Sequence, residues 1–93
     1  MSNKIVSKKI KTSDGVILNY LEAGKGQPLL MIHGISQTAE LFKHQIIELS
    51  KYYRCIAVDL RGHGDSEKVE FGYRISRLAK DIHDIIDELK VSY

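Results

Sequence analysis

Two stretches decide the reading of this chain: Leu29-Leu30-Met31-Ile32-His33-Gly34-Ile35-Ser36, and Cys55-Ile56-Ala57-Val58-Asp59-Leu60-Arg61-Gly62-His63-Gly64-Asp65-Ser66. In each, an apolar run stops at a polar turn that carries glycine. A short apolar run bounded by turn signals reads as a strand buried on both faces. With an amphipathic helical stretch between them, the two runs form a βαβ unit whose parallel strands end on one edge of the sheet. Open α/β sheets place their chemistry beyond that edge. His33, Ser36, Asp59 and His63 are therefore expected to gather there.

Working outward, Val6, Ile10 and Thr12 alternate with Ser7, Lys9 and Lys11, with Lys8 interrupting the period. This predicts a half-exposed edge strand over 4–12. Ser13-Asp14-Gly15 supplies a hairpin turn, and Val16 to Leu21 the return strand. Gly24-Lys25-Gly26-Gln27-Pro28 breaks regular structure, and Pro28, lacking a donor, can only begin the strand that follows. Thr38 is a candidate N-cap for a helix whose inner face carries Phe42, Ile46, Leu49 and Tyr53. Tyr52 to Leu60 is the fourth strand. Ile75, Leu78, Ile82, Ile85, Ile86 and Leu89 mark a second amphipathic helix, without a capping residue at Arg74 and with Asp81, Asp84, Asp87 and Glu88 on its polar side. The order is β-β-β-α-β-α, an α/β fold in a single domain over 1–93.

Composition narrows the function. The 93 residues are 43% hydrophobic and 28% charged with a net charge of +2, ordinary for a globular domain and too weakly basic to argue for nucleic acid. The one cysteine, Cys55, lies in an apolar run, and no Cys/His spacing asks for zinc. No segment has the length of a membrane span, and the first residues lack the apolar stretch of a signal peptide. A reducing, cytoplasmic setting is expected, with no membrane partner and no cofactor. A metal site from His33, His63 and Asp59 is geometrically conceivable, but nothing in the spacing demands one, so no metal is expected.

The His33-Gly34 turn, the Asp59-Leu60-Arg61-Gly62-His63-Gly64-Asp65-Ser66 loop at this separation, and Leu78-Ala79-Lys80-Asp81-Ile82 after it resemble the α/β-hydrolase fold superfamily. The branch most resembled holds esterases, lactonases, epoxide hydrolases and haloperoxidases. The resemblance covers the whole chain but only the first third or so of a family member. It implies that Ile35 gives one backbone N–H to an oxyanion hole, and that Gly34, Asp59, Arg61, Gly62, Gly64, Asp65 and Ser66 shape the loops around it. It also implies that the nucleophile elbow, Gly-x-Ser-x-Gly on a fifth strand, begins just past Tyr93, with the acid and histidine later still. The expectation is a truncated hydrolase half-fold without the family triad and with little or no activity.

Gly34-Ile35-Ser36-Gln37-Thr38 imitates an elbow, being Gly-x-Ser-x-Thr between strand and helix. The alternative is thus a weak carboxylesterase using Ser36 with His33 or His63 as base, completed by dimerisation. Against it, Thr38 replaces the second glycine, and Ser36 serves equally as a helix cap. His33 reads as a support of its turn.

In the resembled sheet the strand order is 1-2-4-3-5, which leaves Leu29–Ile32 as an open apolar edge. A homodimer through this edge, giving eight continuous strands, is expected, with Phe42/Ile46/Leu49 and Ile75/Leu78/Ile82 burying the seam. Domain swapping or pairing with a complementary carboxyl-terminal half are the other routes to covering it.

Overall fold

The computed structural model describes residues 4–33, 38–71 and 73–89. Strands β1 (Val6–Lys11) and β2 (Ile17–Ala23) form a hairpin, followed by β3 (Pro28–Ile32). A 3-10 turn (Ala39–Phe42) leads into helix α1 (Lys43–Leu49), then come β4 (Arg54–Val58) and helix α2 (Ile75–Glu88). The sheet order is β1-β2-β4-β3. β1 and β4 each run antiparallel to β2, whereas β3 and β4 are parallel, with Leu30 opposite Ile56 and Ile32 opposite Val58. The βαβ unit is thus present as read, and β3 starts at Pro28.

Strand alternation divides the core between the two faces of the sheet. Ile10, Leu18, Tyr20, Ile56 and Val58 meet Ile85 of α2 on one face. Leu21, Ala23, Met31, Cys55 and Ala57 meet Ala39 and Ile46 on the other. Because β4 is covered on both sides, all of Cys55–Val58 must be apolar, which is why it reads as an unbroken run. β1 differs: Ile10 is its one buried residue, so its lysines lie exposed along a sheet edge.

The structure corrects several boundaries and one chemical assignment. α1 ends at Leu49 and β4 begins at Arg54, so Tyr52 and Tyr53 belong to the turn between them, not to the helix face or the strand. Thr38 has extended backbone at the helical start but makes no side-chain cap bond. Ile75, expected on the inner face of α2, is 80% exposed.

Asp81 is the chemical correction. It sits on the buried face of α2 at 0% exposure rather than on the polar side. Its two oxygens take a bidentate pair of bonds from Arg61, Nε at 2.7 Å and Nη2 at 2.6 Å, and Arg61 is itself fully buried. Arg77, one turn earlier on the helix, adds bonds of 2.8 and 3.0 Å to Asp81 and one of 3.0 Å to Asp84. Arg61 also reaches Asp14 in the hairpin turn at 3.0 Å, and the backbone N–H and hydroxyl of Ser13 donate to Asp84. One ionic network therefore ties the β1–β2 turn, the loop after β4 and α2 together.

Removing one partner of such a buried pair strands the other charge, so Asp81→Ala is expected to destabilise the fold by about 3–5 kcal/mol. Asp87→Ala, at a solvent-facing position of the same helix, should cost less than about 0.5 kcal/mol. Urea denaturation of the two variants beside the parent measures the contrast. Acid acts on the same network. Burial raises the Asp84 carboxyl, but bonds from Lys80 and Ser13 outweigh it and leave its pKa lowered. Asp14 is lowered too, burial being outweighed by bonds from Thr12 and Arg61. A carboxyl that ionises more readily folded than unfolded stabilises the fold above the ordinary carboxylate range, and the contribution fades as pH falls below about 4. The urea midpoint should accordingly drop from pH 5 to pH 3, and drop less in Asp84→Asn.

Candidate functional site

β3 and β4 run parallel, so His33 and Asp59 emerge side by side at their carboxyl ends. Both are buried. The backbone N–H of Leu60 donates to His33 Nε2 at 2.9 Å. A ring nitrogen that accepts a backbone donor has its lone pair occupied, so His33 carries its proton on Nδ1 and cannot use Nε2 as a base. His63 lies next to it with ring centroids 5.2 Å apart, and its Nδ1–H donates to the Arg61 carbonyl at 2.9 Å. The two candidate histidines are thus brought together.

Both carboxylate oxygens of Asp59 accept from neutral donors. Its Oδ1 accepts the Ala39 N–H at 2.7 Å, and its Oδ2 accepts the Asp65 N–H at 3.1 Å and Asn19 Nδ2 at 3.3 Å. Ser66 Oγ closes the node, donating to the Asp59 carbonyl at 2.6 Å while accepting the Asn19 N–H at 2.7 Å. Asn19 Oδ1 in turn accepts from Ser7 Oγ at 2.7 Å. Among the described residues no buried side-chain nitrogen or oxygen lacks a partner.

The loop after β4 is shaped to fit this node. Gly62 and Gly64 both have positive φ, +76° and +51°. A Cβ on Gly64 would run into the Asp59 carboxylate, and one on Gly62 into the Tyr73 ring. Arg61, in the same loop, faces inward to Asp81. Asp65 remains exposed at its outer side and takes part through its backbone.

Gly34, Ile35 and Ser36, which carry the expected oxyanion N–H and the candidate nucleophile, lie outside the described residues. What the structure does show is how the chain is held on either side of them. Leu60 binds His33 before the segment, and Asp59 binds Ala39 after it. Two consecutive residues of β4's end therefore fix both approaches. Sequence reading named His33 and Asp59 but missed Asn19, whose signal was a polar residue inside an apolar return strand. A surface pocket of about 420 Å³ opens beside Asp59, lined also by Ile5, Leu21, Glu40, Lys43 and Asp65. Neither histidine lines it. Among the described residues, no group of three or more His, Cys, Asp or Glu side chains is arranged to hold a metal ion, and no helix is long and apolar enough to cross a membrane.

Residues 27–92 match the family described as alpha/beta hydrolase fold, and the chain belongs to that family. It is 38% identical over 88 residues to 2-(acetamidomethylene)succinate hydrolase of Mesorhizobium japonicum, covering 95% of this chain and 31% of that protein. Epoxide hydrolase 4 of Mus musculus is 39% identical over 88 residues, covering 90% of this chain and 24% of that one. Among solved structures, an esterase from Exiguobacterium antarcticum superposes with a TM-score of 0.89 at 34% identity, over 94% of this chain and 33% of the esterase. The chain thus spans about a third or less of the length of these relatives.

The clamp makes a measurable prediction. Asp59→Ala removes the acceptor for two backbone donors and one side-chain amide, and should destabilise the fold by about 2–4 kcal/mol. Hydrogen exchange should show the Ala39 and Asp65 amides losing protection first, while the β2–β4 ladder stays protected under conditions where the variant remains folded.

Proposed function

We propose that these 93 residues, taken alone, are a folded α/β-hydrolase unit that builds the oxyanion side of a hydrolase and has little or no hydrolytic activity itself. The observation that carries this reading is the engagement of the site's polar atoms in the scaffold. Asp59 spends both carboxylate oxygens on Ala39, Asp65 and Asn19, and His33 spends Nε2 on Leu60. A serine nucleophile needs a base with an available lone pair and a third group to orient it. His33 and Asp59 are bound instead as supports of the turn. Half an oxyanion hole stabilises little without an activated nucleophile beside it.

In a hydrolase that contains this segment, Ile35 would supply one of the two oxyanion N–H groups, and Asp59 and His33 would hold it in place. The named relatives, an amidomethylene-succinate hydrolase, an epoxide hydrolase and an esterase, support a small-molecule substrate for such a protein. Cys55 is buried and free, and burial raises its pKa, which fits the reducing cytoplasmic setting this reading carries with it.

A second reading, a weak carboxylesterase built on Ser36, draws on the proximity of His63 to His33 at the strand ends. Hydrolysis of p-nitrophenyl butyrate separates the two. The expected result is no saturable turnover above buffer, with the parent chain and Ser36→Ala indistinguishable. Saturable turnover lost in Ser36→Ala and in His63→Ala would instead establish the esterase.

A further inference from the structure

Asn19 is fully buried in β2, and strand alternation puts it on the face that carries Leu21 and Ala23. An apolar residue would pack there without the cost of burying an amide, so the polar atoms of Asn19 need a use. Its main chain is committed to the end of β4. The Asn19 N–H donates to Ser66 Oγ at 2.7 Å, and its carbonyl accepts the Asp59 N–H at 2.9 Å. Both bonds are open to any side chain at this position. The side chain itself makes two more: Nδ2 donates to Asp59 Oδ2 at 3.3 Å, and Oδ1 accepts from Ser7 Oγ at 2.7 Å.

The chemistry of these groups sets a direction. A carboxylate only accepts, so Asn19 must offer it the amide nitrogen. That leaves Oδ1 to accept and obliges the Ser7 hydroxyl to donate. Donation therefore runs from Ser7 on β1, through Asn19 on β2, to Asp59. The other carboxylate oxygen takes the Ala39 N–H at 2.7 Å. Ala39 opens the 3-10 turn, where the leading N–H groups have no partner within the turn. Thr38, in the capping place, makes no side-chain bond there. Asp59 thus caps this turn from another strand. The torsion that sets a carboxylate plane is broad, so the plane needs holding. Asn19 and the Asp65 N–H, both on Oδ2, hold the orientation that presents Oδ1 to Ala39.

We propose that Asn19 is a positioning residue: its side chain fixes the Asp59 carboxylate and, through it, the Ala39 end of the segment that follows β3, with Ser7 setting the amide. β4 separates β2 from β3 in the sheet, so the hairpin acts on a segment that it does not pair with. The inference rests on the reading that this segment carries an oxyanion donor, and it extends the support of that donor beyond Asp59 and His33 to β1 and β2.

Hydrogen exchange of the 93-residue chain, followed amide by amide by NMR, tests this. Asn19→Leu keeps the branched shape and both main-chain bonds but removes the amide. The Ala39 N–H should then exchange at least about tenfold faster than in the parent, the measure of one bond to a charged acceptor, while the β2–β4 ladder keeps its parental rates. Ser7→Ala, at an exposed position, should quicken the Ala39 N–H by about threefold. Ser7→Thr, which retains the hydroxyl, should restore the parental rate. Parental exchange at Ala39 in either Asn19→Leu or Ser7→Ala, a Ser7→Thr chain as fast as Ser7→Ala, or a quickening that the ladder shares overturns the proposal. Should Asn19→Leu fail to fold, the two Ser7 variants decide it. Exchange reads position and ester hydrolysis reads chemistry. An unmoved Ala39 refutes the positioning role and leaves the silent scaffold standing, whereas turnover lost in Ser36→Ala refutes the scaffold and leaves the positioning role standing.

Discussion

Asp59 is the point through which the carboxyl edge of this sheet is held. It follows the last residue of β4, where the chain must leave a strand covered on both faces and turn without leaving polar groups unsatisfied. Its carboxylate gathers donors from two other segments, Ala39 ahead of α1 and Asn19 on β2, and from Asp65 in its own loop. Bonds to a charged acceptor contribute about 1.5–3 kcal/mol each when formed, and the donors cost as much when left unmatched. Because Leu60, the next residue, binds His33, the end of the parallel β3–β4 pair and the start of the turn at Ala39 are held by the same two residues. Gly64 is required for a related reason, since the loop must return close enough for Asp65 to reach the carboxylate.

Arg61 extends this organisation to the far side of the sheet. A guanidinium with no solvent exposure carries a large desolvation cost, which its attraction to one carboxylate offsets only with good geometry. Here the geometry is bidentate, Asp14 adds a second carboxylate, and Phe71 contributes its carbonyl and the face of its ring. A hydrophobic replacement of the whole network can match its stability, but would not specify which turn meets which helix. The loop 59–66 thus serves two ends: its first residue holds the site edge, and its third locks the loop to α2 and the hairpin.

Much of this was legible in the sequence because burial on two faces leaves an unmistakable mark. Cys55–Val58 is apolar without alternation and is buried throughout, whereas Leu29–Ile32, apolar in the same way, has only Met31 buried and Ile32 exposed. The glycines around His63 were legible as loop residues, but their positive φ and the close approach of Asp59 and Tyr73 appear only in the structure. Asp81 was not readable. Helical periodicity assigns a carboxylate to the wet face, and only the fold reveals that Arg61, twenty residues earlier, comes to meet it. The span between α1 and β4 failed for another reason: Tyr52 and Tyr53 suit a helix face and a strand alike, but both donate to the Leu49 carbonyl in the turn that closes α1. At the site, His33 and Asp59 were found by pattern, but their role depends on which atoms accept which donors.

The same logic explains why a site-like constellation need not be a catalytic one. His33, His63 and Asp59 have the residue types of a triad and share one edge of the sheet, yet catalysis requires lone pairs held ready for substrate. Here the fold draws on the lone pairs of His33 Nε2 and of Asp59 to satisfy the backbone amides of Leu60, Ala39 and Asp65. A group used in this way is valuable to a neighbouring active site because it cannot move: an oxyanion donor is effective only if it costs no reorganisation at the moment of reaction. The bonds from Leu60 to His33 and from Ala39 to Asp59 fix the chain at two points along the carboxyl edge of the sheet.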